Sequence, residues 1–455
     1  MPPPTSSATL TTLRAEYGGR MPDLLDISSR IIDSGVVDQP INRVTIELSE
    51  LADDLAIVES FSHSIAFDSG EGLVCFDSSG VHTGQAVVAA LKDWRQQRIG
   101  HLIYTHGHAD HVGGSTFFAD DAPIVIGHEN VAKRLDRYDF TNNWNLIINA
   151  RQFGGIPGEL KLSIGEAQGG AAVDVADARR FLPSGTLRPS QTFDDRHTLT
   201  IGDTEIDLRH ARGETDDHLW AWMPDRKWIM AGDFVIWNFP NAGNPQKVQR
   251  YPIEWAAALR EMVAVGPELL VPAHGLPIAG RARIATVLAD IATALENLVA
   301  EVITMMNEGA TLDTIVHTVS VPADTLAKPY LRPLYDEPEF VIRNIWRQFG
   351  GWWDGAASRL KPSSDLHLAT AIAELCGGPA ELIGRARRAA GENDLRLACH
   401  FADLAGWSAP DDPAIHAARS EIYIARRNAE PSLMSKGIFM AAARESQRVA
   451  NDSAT

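Results

Sequence analysis

Thr105-His106-Gly107-His108-Ala109-Asp110-His111 places three imidazoles and a carboxylate within six positions, directly after the apolar run Leu102-Ile103-Tyr104. The run reads as a short buried strand, and Ala109 to Phe118, with Gly113 and Gly114 permitting close packing, reads as the start of a helix. The four polar side chains therefore sit on a strand-to-helix loop, where α/β folds gather their ligands. His106 and His108, two apart in extended chain, point to one side and can bind one metal ion; Asp110 and His111, adjacent at the bend, can turn to a second. A histidine-rich surface loop would instead carry solvated imidazoles and need no partners elsewhere. The spacing favours a borderline metal such as zinc and a dinuclear site.

The bulk numbers set bounds around that loop. A chain of 455 residues, 45% of them hydrophobic, can bury a sizeable core, and by length should hold about two or three domains. Met1 to Arg20 is rich in Pro, Ser and Thr without an apolar signal core, and no apolar run approaches a bilayer span. A cytoplasmic protein without a membrane partner is expected. Cys75, Cys376 and Cys399 are far apart and odd in number, so neither a disulfide framework nor a Cys-based zinc site is indicated. The net charge of −18 argues against nucleic acid as partner. It does not exclude an anionic small-molecule substrate, because solvent screening acts over about 8 Å while dications dominate inside a cleft.

Read in order, residues 1–42 form an N-terminal arm in which Asp23 to Ile32 has the apolar spacing of a short helix. Val44 to Leu48, Leu55 to Val58, Ser64 to Phe67 and Leu73 to Asp77 alternate or run apolar and read as consecutive strands of one sheet. Asp77 can brace the metal loop, or simply make a turn. Gln85 to Gln97 has a helical stripe leading into the strand before His106. Ile124 to Gly127 is a further strand, with His128 a structural or rim residue. Phe140 to Gly155 is a candidate mobile wall of the cleft, Gly165 to Ala178 a flexible insertion, and Thr198 to Leu208 a hairpin turning at Gly202-Asp203.

Thr-His-x-His-x-Asp-His followed by Gly-Gly resembles the signature of the metallo-β-lactamase superfamily. The resemblance implies an αβ/βα four-layer sandwich with a metal pair at the sheet edge. In that superfamily a metal-binding His follows the Gly of a Pro-Gly-His-Thr-like turn. Here, in Arg212-Gly213-Glu214-Thr215, the place holds Glu214, which is similar to the zinc-dependent alkyl sulfatases of the superfamily. His210 competes for the role, but Gly213 presents the following side chain inward. His218 reads as a packing imidazole or a brace for the ligands, and Asp216 and Asp217 as turn acids. Trp228 to Asp233 is a strand ending at the position that bridges both metals, and Leu269 to His274 a strand ending in the last ligand. The resemblance thus implies two zinc ions per chain, His106, His108 and Glu214 on one and Asp110, His111 and His274 on the other, with Asp233 and a hydroxide between them.

Beyond the catalytic region, taken as residues 43–283, the composition turns helical. An apolar seam runs from Ile284 to Met306, with Asn307-Glu308-Gly309 as its stop. Glu339 to Gly355 resembles the segment joining the alkyl sulfatase dimerisation domain to the catalytic domain, and Leu366 to Arg427 alternates helical stripes with short breaks. Residues 284–430 are therefore expected to form an all-α dimerisation domain and residues 431–455 a tail, giving a homodimer; the apolar seam could equally pack within the chain. The resemblance spans about Val44 to Arg427. It departs from the family in lacking room for a sterol-carrier-like domain after Arg427. It also lacks a His between Phe234 and Ala273, where family members carry one proposed as the acid for the leaving group. Tyr251, Arg250 or Lys247 could occupy that neighbourhood.

Taken with Glu214, the resemblance implies hydrolysis of alkyl sulfate esters to alcohol and sulfate by a metal-bridged hydroxide. Asp110 and Asp233 serve at the reacting centre, Tyr251 is a candidate acid, and Arg343 a candidate oxyanion partner that could instead form an inter-domain salt bridge. Trp237, Phe239, Trp352 and Trp353 could line an alkyl slot or belong to the core and interfaces. Hydrolysis of another ester, a lactone, a β-lactam or a phosphoester is the second enzymatic reading. A non-catalytic metal-binding interaction protein is the third, against which the intact ligand set stands.

Overall fold

The structure, a computed structural model, describes residues 23–152 and 180–452. Strand periodicity decides its architecture. In the sheet that begins with β1 (Leu48–Ala52), the strands β2 (Leu55–Val58), β3 (Ser64–Asp68) and β4 (Leu73–Phe76) turn alternate residues to opposite faces. Both faces are apolar. Leu55, Ile57, Ile65, Phe67, Val74 and Phe76 join one buried cluster, while Val58, Ala66, Leu73 and Cys75 join another. A sheet covered on both sides reads as continuous apolar runs, and these strands do.

β1 to β4 pair antiparallel; β5 (Ile99–Ile103), β6 (Ile124–His128) and β7 (Gln191–Phe193) then add in parallel. The second sheet holds β8 (Arg196–Ile201), β9 (Thr204–His210), β10 (Leu219–Met223), β11 (Trp228–Gly232), β12 (Leu269–Pro272) and β13 (Ile278–Ala279) in the order β13-β12-β11-β10-β9-β8. Only β11 and β12 run parallel in it. Helices Gly84–Trp94 and Asn130–Phe140 cover the outer face of the first sheet through Val87, Leu91, Val131 and Leu135. Helices Pro252–Val265 and Arg281–Asn307 bring Trp255, Leu259, Val287 and Ile291 into the cluster shared with the second sheet. The result is the αβ/βα four-layer sandwich, followed by an all-α region.

Several local expectations shift. Ile46 sits at φ 57°, outside strand geometry, so the run from Val44 breaks and β1 begins at Leu48. Within the expected arm, helix Leu24–Ser34 is capped by Asp23, stopped by Gly35 at φ 71°, and buries Leu24, Ile27 and Ile31 in the main core. The wall from Phe140 is the helix Asn142–Gln152, and its remainder, like the expected insertion Gly165 to Ala178, lies outside the described residues.

The seam from Ile284 is spent inside the chain: Ile284, Val287, Leu288, Ile291, Leu295 and Val302 are all buried in the core that holds the second sheet. Its helix already starts at Arg281, so a boundary at residue 284 falls within its first turn. Exposed apolar residues lie further on, with Leu366, Leu368 and Leu375 on helix Asp365–Cys376. Helices Pro379–Gly391, Leu395–Ser408 and Pro413–Ala429 complete the array around alanine-rich contacts.

The expected tail is corrected. Leu433–Asp452 is a helix lying against Pro413–Ala429 and Asn142–Gln152. Gly437 permits the second contact, because a Cβ there would stand 1.7 Å from the Gln152 carbonyl oxygen. Gly437→Ala should therefore lower stability by about 1–3 kcal/mol, as overpacking does, read as a lower denaturant midpoint.

Candidate metal centre

β4 and β5 are parallel neighbours, so the turns after Phe76 and Ile103 leave the sheet at one edge. Asp77, the first residue past β4, sits at φ 58° and turns its carboxylate onto the loop after β5. Asp77 Oδ1 accepts the Thr105 backbone N–H at 2.7 Å, and Oδ2 accepts the Thr105 hydroxyl at 2.7 Å and His111 Nδ1 at 2.8 Å. The brace that the sequence left open is thus made. From the other side Asp217, buried and paired with Arg134 at 3.0 Å, accepts the Gly107 N–H at 3.0 Å. Asp217 reads as a turn acid in the sequence, yet it is the loop's second anchor.

The second sheet delivers its ligands by the same logic. Parallel β11 and β12 end side by side, placing Asp233 and His274 one and two residues beyond them. Gly232, at φ 54°, makes the bend; a Cβ there would stand 2.7 Å from His218 Nε2 and 2.9 Å from Thr105 Cβ. His218 accepts the Asp233 N–H at 3.1 Å and stacks on Phe234. It thereby orients the bend, with its ring centroid 4.6 Å from that of His106.

The ligand atoms converge. Asp110, His111 and His274 form one cluster and His106, His111 and Asp233 another. Asp233 lies between them, with Oδ2 3.9 Å from His106 Nε2 and Oδ1 3.5 Å from both His111 Nε2 and His274 Nε2. His108 Nδ1 is 2.8 Å from His106 Nε2 and 3.4 Å from Glu214 Oε1. Glu214, on the turn between β9 and β10, is buried and held by Arg250 at 3.0 Å and Asn241 at 2.5 Å. His210 instead stacks on His128 with ring centroids 3.8 Å apart, away from the clusters.

Electrostatics show that these residues fit cations. His111 donates from Nδ1 to Asp77, leaving a buried Nε2 with no hydrogen-bond partner, and the nearby Asp233 Oδ1 has none either. Burial acts to lower the His111 pKa, yet Asp233, Asp110 and Asp77 hold it well above the usual value. Burial and neighbouring imidazoles depress His106; burial and Arg250 depress His108. Both keep free lone pairs, as metal ligation requires. Burial pushes the Glu214 carboxyl up, against Arg250 and with Asp233 and Asp110 adding to it. Buried carboxylates this close repel unless a cation lies among them.

The centre opens into a cavity of about 790 Å³. Val44, Val81, Leu146, Leu182, Leu334 and Leu433 form apolar walls, while Lys247, Arg250, Asn244 and Tyr335 add polar groups. Burial and nearby Arg250 pull the Lys247 ammonium down to about 8. Asp336 accepts the Gly243 and Asn244 N–H groups at 2.6 and 3.1 Å, fixing the loop that carries Asn241 to Glu214.

Two expected residues stand elsewhere. Arg343 is exposed on helix Pro338–Gly350 and pairs with Glu339 at 3.1 Å. Tyr251 bonds the Gly213 carbonyl through its backbone and carries Arg212 over its ring. Neither lines the cavity. Trp237 and Phe239 are core and Trp352 and Trp353 are exposed; the apolar walls come from the aliphatic residues above together with Phe61 and Phe181. Ser62, His63, Asn241 and Tyr335 carry no local motif; only the folded chain brings them here.

Asp77→Asn places an amide donor against the Thr105 and His111 donors. Metal affinity should fall about 10–100-fold, measured by competition with a chromophoric chelator.

Comparison with known proteins agrees with this geometry. Residues 59–274 match the metallo-beta-lactamase superfamily and residues 311–448 match alkyl sulfatase dimerisation. A linear primary-alkylsulfatase from Pseudomonas sp. is 25% identical over 356 residues, covering 75% of this chain and 65% of that protein. An (R)-specific secondary-alkylsulfatase from Pseudomonas sp. is 24% identical, covering 78% and 54%. The solved structure of a stereoselective inverting sec-alkylsulfatase from Pseudomonas sp. superposes with a TM-score of 0.77 at 20% identity, covering 88% of this chain and 66% of that one. The chain thus spans between about half and two-thirds of the length of these relatives. Residues 59–274 thus carry the metallo-β-lactamase superfamily fold, and the helical region that follows matches alkyl sulfatase dimerisation.

Proposed function

We propose that this metal-dependent hydrolase cleaves alkyl sulfate esters to alcohol and sulfate, using two zinc ions. The observation that carries the reading is Glu214, buried beside His108 where the wider superfamily resemblance leads one to expect a His, and held there by Arg250 and Asn241. The alkylsulfatase relatives add support. Bound at this centre, a pair of dications would bring a shared water's pKa toward neutrality and offset the charge of the ester.

The chain's own residues supply the rest. His106, His108 and Glu214 would hold one ion and Asp110, His111 and His274 the other, with Asp233 within reach of both. Lys247 and Arg250 set positive charge beside an anionic head group, taking the part first given to Arg343, and the aliphatic walls accept an alkyl chain. Zinc-loaded protein should release sulfate from alkyl sulfates of several chain lengths and stop when zinc is chelated. Turnover of lactones, β-lactams or phosphate esters with none of alkyl sulfates would sink the assignment.

The helical region pairs two chains in this reading. Leu375 is 88% exposed, and Leu366 and Leu368 share its helix, an apolar group suited to a second copy. Among the described residues no helix is long and apolar enough to cross a membrane. Sedimentation should show a dimer, and Leu375→Glu should shift it toward monomer at micromolar concentration.

A further inference from the structure

The turn between β2 and β3, Glu59 to His63, bears no motif, yet it reaches from the first sheet to the end of β12 in the second. There His63 makes two bonds that bracket one residue. Its backbone N–H donates to the Ala273 carbonyl at 2.7 Å, and its ring Nε2 lies 2.9 Å from the Gly275 carbonyl oxygen. His274 is the residue between them. The tautomer follows from the third contact: His63 Nδ1 accepts the Ser60 backbone N–H at 3.1 Å, so the ring proton is on Nε2 and points at Gly275. His63 is 2% exposed, and neither bond competes with bulk water.

The same turn touches the neighbouring ligand. Ser62 Oγ lies 3.0 Å from His111 Nδ1, beside the Asp77 carboxylate. Phe61 meets the His274 ring edge-on, with centroids 5.3 Å apart at 72°. Asp110, His111 and His274 are the cluster that would hold one ion. Two of the three are thus gripped by this single turn, through Phe61, Ser62 and His63.

We infer that His63 is a positioning residue for that ion: it holds the carbonyls of Ala273 and Gly275, the residues on either side of His274, and so fixes where the His274 imidazole points. The inference rests on the dinuclear reading above. Gly275, at φ 89°, has no side chain to restrain it, and a Cβ there would stand 2.5 Å from Trp237 Cδ1. Its carbonyl therefore depends on the His63 donor for its direction. Ligand-orienting partners of this kind commonly set affinity by about 10–100-fold.

Two substitutions divide the ring's bonds. His63→Gln can keep a donor at the Nε2 position and loses the acceptor for Ser60; His63→Asn keeps the acceptor and loses the donor to Gly275. Each gives up one buried hydrogen bond, so a purely structural role would affect both alike. The full chain, stripped of metal, is titrated with cobalt(II) against a chromophoric chelator, with melting of the metal-free proteins in parallel. Wild type is expected to take two equivalents. His63→Asn should keep one at wild-type affinity and bind the other about 10–100-fold more weakly, while His63→Gln stays close to wild type. Equal weakening in both variants, no weakening in either, or an Asn variant that fails to fold where Gln folds would overturn the positioning role. Uptake of fewer than two equivalents by wild type would instead overturn the dinuclear reading. Sulfate release enters none of these readouts, so a different substrate leaves the test intact.

Discussion

The backbone from Thr105 to His111 is held by buried carboxylates on two sides, and the site depends on that grip. Asp77 takes Thr105 and His111; Asp217 takes Gly107. Neither carboxylate faces the ligand clusters as a donor to the ion. Each instead removes freedom from a segment that would otherwise present three imidazoles in many directions. Asp77 reaches its place only through a left-handed backbone, strain of the kind that functional sites retain when surrounding structure over-determines it.

Charge sets the second constraint. Asp110, Asp233 and Glu214 lie within a few ångströms of one another's imidazole partners, mostly out of solvent. Their mutual influence pushes individual groups in opposite directions: Glu214 upward, and Asp233, drawn down by His274 and His111 against its burial, downward. Such a set is at odds with itself until positive charge enters. The hydrogen-bonded braces bring the ligands together, and a cation among them would relieve the repulsion.

What could be read beforehand follows from how local each signal is. The His-x-His-x-Asp-His run is contiguous, so its ligands and loop were legible directly. Asp233 and His274 were legible as strand ends, because an apolar run that stops at a polar residue marks a sheet edge, while their part at a metal pair came from the resemblance. Glu214 needed the resemblance as well as the turn glycine. Arg343 was misplaced because a sequence shows charge but not direction, and on its helix the side chain turns outward to Glu339. Tyr251 lay in the right stretch, but its neighbours Lys247 and Arg250 are the ones that reach the cavity. The apolar seam after Ile284 suited an interface or a core equally, since both bury a stripe of the same period. His63 and Tyr335 act across 211 and 61 positions of chain from His274, a separation over which periodicity carries no information.

Asp336 lies outside the metallo-β-lactamase part of the chain, yet it holds the loop whose Asn241 in turn holds Glu214. Leu334, Tyr335 and Leu433, from the same helical region, wall the cavity. The line between a catalytic module and an association module therefore does not follow the line between sandwich and helices. Excising residues 43–283 would remove part of the pocket and leave one metal-facing carboxylate without its outer support. Conversely, any rearrangement of the helical array has a short mechanical route to the cluster of candidate metal ligands. Genetic exchange of the helical region between relatives would be felt first as a change in what the pocket accepts, and only then as a change in how chains assemble.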